Sequence, residues 1–135
     1  MRLLINYSID FYTIFNIRVV DLWAGAGGMS IGFEKAGFHV ISAVDNDKDA
    51  VATLRANKKG NTAIFQEKVS SFLRNSKQGK AGYVKPGEVK HVHGSPPCKG
   101  FSRANRTGGK DDMINNKVSK CCYSITILFY AVNSV

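Results

Sequence analysis

The sequence holds only three cysteines, Cys98, Cys121 and Cys122, and the last two are adjacent. That is too few for a disulfide scaffold, and the spacing matches no zinc pattern, so a reducing intracellular setting is expected rather than a secreted one. No apolar run reaches the ~20 residues that a membrane span requires. The run Tyr123–Val132 falls short of it, and no membrane association is expected. The start, Met1–Ile17, is apolar with one Arg, but no small-residue cleavage site follows, so it does not read as a secretory signal. Internal repeats are absent. Acids are scarce in one place. Between Lys68 and Lys110 there are ten Lys or Arg and a single acid, Glu88, while the other nine bases and nine acids cancel. The net charge of +9 therefore belongs to that segment. Such a block suits a polyanion such as nucleic acid, and it equally suits a Lys-rich solvated loop.

What is present suits one domain: 135 residues, 44% of them hydrophobic. Apolar β-branched runs alternate with longer amphipathic stretches, the pattern of a parallel α/β sheet. Ile17–Leu22 reads as a buried strand, Ala24–Gly28 as a Gly-rich turn, and Ser30–Ala36 as a helix stopped by Gly37. Val40–Val44 is a second strand ending on Asp45. Asp47 caps a helix over Lys48–Asn57, with Ala50, Val51 and Leu54 on one face. Thr62–Phe65 is a short third strand, Val69–Leu73 a helical turn, and Asn75–Gly87 a Gly/Lys-rich loop. Val89–His93 is a fourth strand, stopped by Pro96 and Pro97, and Gly100–Asn116 reads as an exposed loop. The expected organisation is an irregular leader over 1–17, an α/β domain over 18–116, and an unassigned apolar tail over 117–135.

Two constellations carry chemistry. The first is Asp21-Leu22-Trp23-Ala24-Gly25-Ala26-Gly27-Gly28, between a strand and a helix. Glycines there permit a sharp turn and let a ligand approach the backbone, and the helix N-terminus offers free N–H donors. Asp45 lies twenty residues beyond Gly25, where a carboxylate can accept both hydroxyls of a ribose. Loop and acid together indicate a nucleoside cofactor, although structural turns also use glycine. A nicotinamide dinucleotide would set its pyrophosphate on the helix N-terminus. S-adenosyl-L-methionine would set its carboxylate there, and Asp21 favours it, because a carboxylate repels an anion and suits a cationic ammonium or sulfonium.

The second constellation is Gly94-Ser95-Pro96-Pro97-Cys98-Lys99-Gly100-Phe101-Ser102, just past the fourth strand. In an open α/β sheet that is the edge where ligands bind. The prolines stiffen the turn, and Lys99, Arg103 and Arg106 favour the thiolate of Cys98, its nucleophilic form. A lone cysteine is more often a small buried hydrophobe. Here the setting points to covalent catalysis on an electrophilic carbon.

Together these motifs resemble the DNA (cytosine-5) methyltransferases. The run Asp21–Gly28, continuing to Gly32-Phe33 and Ala36-Gly37, resembles the family's first motif, with Trp23 in place of the usual Phe. Ser95–Ser102 resembles its catalytic motif, with Lys99 in place of Gln. The resemblance covers about Arg18 to Asn116 and implies a Rossmann-like S-adenosylmethionine-dependent fold, of which this chain carries the first four strands. It implies that a flipped-out cytosine is attacked at carbon 6 by Cys98 and methylated at carbon 5. It also implies that Asp21, Trp23, Ala24, Gly25, Gly27, Gly28, Asp45 and Pro97 hold the cofactor. Ser102, Arg103 and Arg106 would sit on a loop closing over DNA phosphates.

Some family features are not met. Lys68 stands where the family commonly has an acid facing the adenine amine. No Glu-Asn-Val run and no Gln-x-Arg-x-Arg run follow Cys98, and the three glutamates, Glu34, Glu67 and Glu88, all precede it. A truncated product, inactive in methyl transfer by itself, is expected. Two alternatives stand beside the DNA reading: a tRNA substrate, as for some relatives, and a non-catalytic cofactor- or nucleic-acid-binding fragment. The expected location is intracellular, and nuclear in a eukaryote.

Overall fold

A computed structural model describes residues 17–58 and 60–97. Strand β1 spans Arg18–Leu22, helix α1 Gly28–Lys35, β2 His39–Asp45, α2 Lys48–Asn57, β3 Ala63–Gln66, α3 Val69–Lys77 and β4 His91–Gly94. The strands form one parallel sheet in the order β3-β2-β1-β4. The expected fold class is thus observed: a four-stranded parallel sheet consistent with an incomplete Rossmann-like fold. Each connection is a strand–helix–strand crossover, which is right-handed almost without exception. The first two crossovers step in one direction and the third steps back across β1. That reversal places α1 and α2 on one face of the sheet and α3 on the other.

The side chains follow this division. Val20, Leu22 and Val44 join Val69, Phe72 and Leu73 of α3 in the main core, with Val84 and Val89 from the segment before β4. On the opposite face Asp21 meets Ser30 of α1. Phe33 of α1 covers His91 and His93 of β4, with ring centroids 5.3 and 5.5 Å apart. Gly37 closes α1 as expected. It takes φ 89°, its N–H donates to the Glu34 carbonyl, and the Phe38 N–H donates to the Phe33 carbonyl. This double bond pattern with a left-handed glycine satisfies the last helical carbonyls. Asp47 caps α2, its carboxylate accepting from the Asp49 and Ala50 N–H groups at 3.0 and 2.8 Å.

Three elements differ from expectation. Helix α1 starts at Gly28 rather than Ser30, so Gly28 belongs to the helix and not to the turn. Helix α3 runs to Lys77 rather than ending at Leu73. Its buried residues Val69, Phe72, Leu73 and Ser76 recur at helical spacing, so Asn75–Lys77 belongs to the helix and not to the loop. Strand β4 begins at His91 rather than Val89. Val89 is buried because it packs into the α3-side core from the preceding turn, not because it pairs in the sheet. The leader 1–16, the expected loop Gly100–Asn116 and the tail lie outside the described residues. No described helix is long and apolar enough to cross a membrane.

Candidate functional site

Strand order reverses between β1 and β4, and ligands of open α/β sheets bind outside the carboxyl ends of the strands at such a point. Both sequence constellations converge there. The Gly-rich loop leaves β1 at Leu22, and the Pro96-Pro97 turn leaves β4 at Gly94, Leu22's direct partner in the sheet. The Ser95 N–H donates to the Leu22 carbonyl at 3.2 Å, tying the start of the Pro-Pro turn to β1.

The loop is also tied to β2. The Ala24 N–H donates to the Val44 carbonyl at 3.0 Å. One residue on, the Gly25 N–H donates to Oδ2 of Asp45 at 2.8 Å, and Oδ1 of Asp45 accepts from the Asp47 N–H at 2.9 Å. Asp45 therefore does more than expected: each of its oxygens fixes a backbone turn at the edge. A carboxylate oxygen has two acceptor directions, so each retains capacity for a hydroxyl.

The glycines divide their work. Gly25 takes φ 56° and has nothing within 4 Å of where a Cβ would stand. It keeps that space clear. Gly27 takes φ 94°, and a Cβ there would overlap the Leu54 side chain. Its role is to let α2 pack against the loop. Gly27 is also the N-cap of α1 and supplies no side-chain cap, so the first N–H groups of α1 keep their donor character toward a ligand. Trp23 takes φ 55°, unusual for a bulky residue. Its ring lies 3.2 Å from where a Cβ on Gly94 would sit. Gly94 is therefore the seat of Trp23, a role that sequence reasoning misses; a glycine ending a strand beside an aromatic is the available signal.

Asp21 is 1% exposed. Its Oδ2 accepts from the Ser30 hydroxyl at 2.6 Å, and its Oδ1 is buried with no hydrogen-bond partner among the described residues. Burial raises its pKa above the ordinary carboxylate value, opposed by the Ser30 hydrogen bond and by His93. A half-satisfied buried carboxylate accommodates a cation and disfavours a pyrophosphate. Ser30, nine residues downstream on the helix, gives no sequence signal of this contact. Glu67, beside the departing Lys68, donates its N–H to the Asp45 carbonyl at 3.0 Å. Its carboxylate accepts from Asn75 of α3 at 3.4 Å. Lys68 is the exposed N-cap of α3.

Of the expected site residues, Asp21, Trp23, Ala24, Gly25, Gly27, Gly28 and Asp45 thus form one loop-and-strand-end unit. Pro97 follows β4 at the same edge and is exposed. Cys98, Ser102, Arg103 and Arg106 lie outside the described residues. Among the described residues no cluster of ligating side chains could hold a metal ion.

Comparison with known proteins agrees with this geometry. The C-5 cytosine-specific DNA methylase family model matches residues 17–125. The type II methyltransferase M.AquIA of Picosynechococcus is 38% identical over 95 residues, covering 70% of this chain and 38% of the relative. The DNA (cytosine-5)-methyltransferase PliMCI of Paracentrotus lividus is 34% identical over 125 residues, 82% of this chain and 8% of the relative. The chain thus spans well under half the length of these two relatives. A solved E. coli prophage chain, described as a DNA modification methyltransferase, superposes with a TM-score of 0.56 at 29% identity, covering 84% of this chain and 29% of that one. A Listeria monocytogenes chain, described as an S-adenosylmethionine-dependent methyltransferase, shares the fold with a TM-score of 0.52 at 15% identity, covering 85% and 44%. A parallel sheet with this loop at its switch point, and a family match across most of its length, make the chain a member of the C-5 cytosine-specific DNA methylase family.

Proposed function

We propose that this chain is the cofactor-binding and nucleophile-bearing part of a DNA (cytosine-5) methyltransferase. The observation that carries the reading is the Gly25 N–H bond to Asp45. It joins the Gly-rich loop, which leaves β1 at the switch point, to the acid that ends β2, one strand from the Pro96-Pro97 turn. S-adenosyl-L-methionine, when bound, supplies an electrophilic methyl group. Asp45 accepts from its ribose hydroxyls, and Asp21 offers negative charge to its cationic end. Trp23, seated on Gly94, packs against its adenine or methionine portion. The open space at Gly25 and the uncapped N-terminus of α1 admit its carboxylate. Pro97 lines the adenine side.

Cys98 is the nucleophile. Its thiolate would form a bond to carbon 6 of cytosine, making carbon 5 nucleophilic; carbon 5 would then take the methyl group as the sulfonium–methyl bond of a bound cofactor breaks, with the neutral demethylated thioether as leaving group. Loss of the carbon-5 proton to a base then expels the thiolate and restores the ring. Ser102, Arg103 and Arg106 contact the DNA phosphates. The names of the relatives favour DNA over tRNA as the polynucleotide. An intracellular setting, nuclear in a eukaryote, fits that substrate.

The test joins this chain to the C-terminal portion of a family relative and incubates it with the cofactor and duplex DNA carrying 5-fluorocytosine. Fluorine cannot leave as a proton does, so a covalent adduct should accumulate on Cys98, and Cys98→Ser should abolish both adduct and methyl transfer while leaving cofactor binding nearly intact. An adduct mapped to Cys121 or Cys122 would contradict the assignment.

A further inference from the structure

The described part of the basic block is contiguous in sequence but divided in space, because Lys68 starts α3 at the carboxyl ends of the strands. Helix α3 starts beside the carboxyl end of β3 and runs back across the sheet, and β4 then starts at the opposite edge. The connection from Lys77 to Lys90 therefore turns at the amino ends of the strands, where Glu88 meets Arg18 at the start of β1, and the Tyr83 side chain reaches from it toward Glu67.

This connection is built, not slack. Tyr83 packs against the core, and Val84 and Val89 lie within it. Its turns are closed by the Gly79 N–H to Ser76 carbonyl, Tyr83 N–H to Lys80 carbonyl and Glu88 N–H to Lys85 carbonyl bonds, at 3.0, 3.1 and 3.1 Å. While its apolar residues point inward, Arg74, Lys77, Lys80, Lys85 and Lys90 are all exposed. The Lys80 ammonium rests 5.2 Å from the Tyr83 ring centre. The one acid, Glu88, is engaged by Arg18 at 2.8 Å and by the Lys85 N–H at 2.9 Å. Arg74 and Lys77 complement the C-terminal end of the α3 dipole, but Lys80, Lys85 and Lys90 are on no helix.

We infer that this edge is a second nucleic-acid surface, which holds the phosphate backbone of a duplex DNA segment other than the one carrying the target cytosine. Lysines carried on a preorganised backbone neutralise phosphates at a smaller ordering cost than lysines on a slack loop. A membrane is a poorer partner, because the only exposed large hydrophobic residue among those described is Met29, in α1. Contacts of charge alone give binding that is indifferent to base sequence. The inference rests on DNA as the partner, and its test separates the two.

The full chain is titrated with a duplex of alternating A and T, which offers no cytosine, across a fourfold range of salt. Replacing Lys77, Lys85 and Lys90 by Gln should reduce the slope of log affinity against log salt by about 2.7, at roughly 0.9 per phosphate, so the wild type loses about fortyfold more affinity over that range. Replacing the same three by Arg should retain the wild-type slope, and circular dichroism should report the same fold for all three proteins. An unchanged slope in the Gln variant, with a slope flattened by neutralising Arg103 and Arg106, would overturn the second surface and leave the DNA reading standing. No binding to duplex by any form would overturn both, and binding to phosphatidylserine vesicles but not duplex would overturn the choice of partner.

Discussion

Among the described residues, the two edges of the sheet carry opposite charge. At the carboxyl ends of the strands stand Asp21, Asp45, Asp47, Asp49 and Glu67, against Lys48 and Lys68. At the amino ends the α3–β4 connection exposes Lys77, Lys80, Lys85 and Lys90, and its one acid is paired. Helix chemistry explains part of the contrast, since acids belong at helix N-termini and bases at C-termini. The rest is local: an acidic edge around a loop suited to a cationic nucleoside, and a basic edge suited to phosphate. A net charge of +9 is therefore a poor guide to any one surface of this molecule.

The acidic edge is most easily broken at Gly27. Ala there adds left-handed strain to overlap with Leu54, and should cost about 2–4 kcal/mol of stability in urea unfolding. Because the Asp47 N–H at the start of α2 donates to Asp45, displacement of α2 should weaken cofactor binding too. Wild-type stability in this variant would mean that α2 does not pack as described. Asp45→Ala comes next. Losing charge-assisted hydrogen bonds costs roughly 1.5–3 kcal/mol, so calorimetry should show about ten- to a hundredfold weaker cofactor binding. Binding to A·T duplex at the opposite edge should be unaffected.

Gly25→Ala sharpens the division between glycines. Its left-handed backbone makes Ala cost about 1–2 kcal/mol, yet no protein atom blocks the new methyl. The ratio of binding loss to stability loss should be larger here than at Gly27, and the reverse ordering would reassign the two. The smallest effect is expected from Asp21→Asn. Burial raises the Asp21 pKa, so its contribution to stability is full below the unfolded value of 3.8 and is lost as pH rises through the folded value. Asn does not ionise, so at pH 7 the variant should melt higher than wild type, with the gap closing toward pH 3, while cofactor binding weakens severalfold. A lower melting temperature at pH 7 would show that the charge stabilises the fold.

Much of this architecture is legible in the sequence. The apolar runs of β1 and β2, the Asp47 cap and the Gly37 stop are local signals, and they locate those elements to within two residues. The loop and Asp45 are legible as a pair because strand-end spacing is regular in this architecture. The remainder depends on tertiary packing. Polar Asn75–Lys77 reads as loop, although buried Ser76 completes the helical spacing of Val69, Phe72 and Leu73. Val89 reads as strand because burial without pairing leaves the same apolar residue in the sequence. Gly94 under Trp23, Leu54 against Gly27 and Ser30 on Asp21 join residues from separate elements, and no local pattern announces them. The separation of Lys77–Lys90 from the cofactor edge likewise follows only from the path of α3.

The loop at the reversal point is shaped for a cationic nucleoside and not for a dinucleotide. Isothermal calorimetry on the chain Met1–Val135, with S-adenosyl-L-methionine, its demethylated product and NAD in separate titrations, tests it most directly. The first two should bind saturably at one site and NAD should not bind; binding of NAD in their place would mean that the loop is built for a dinucleotide.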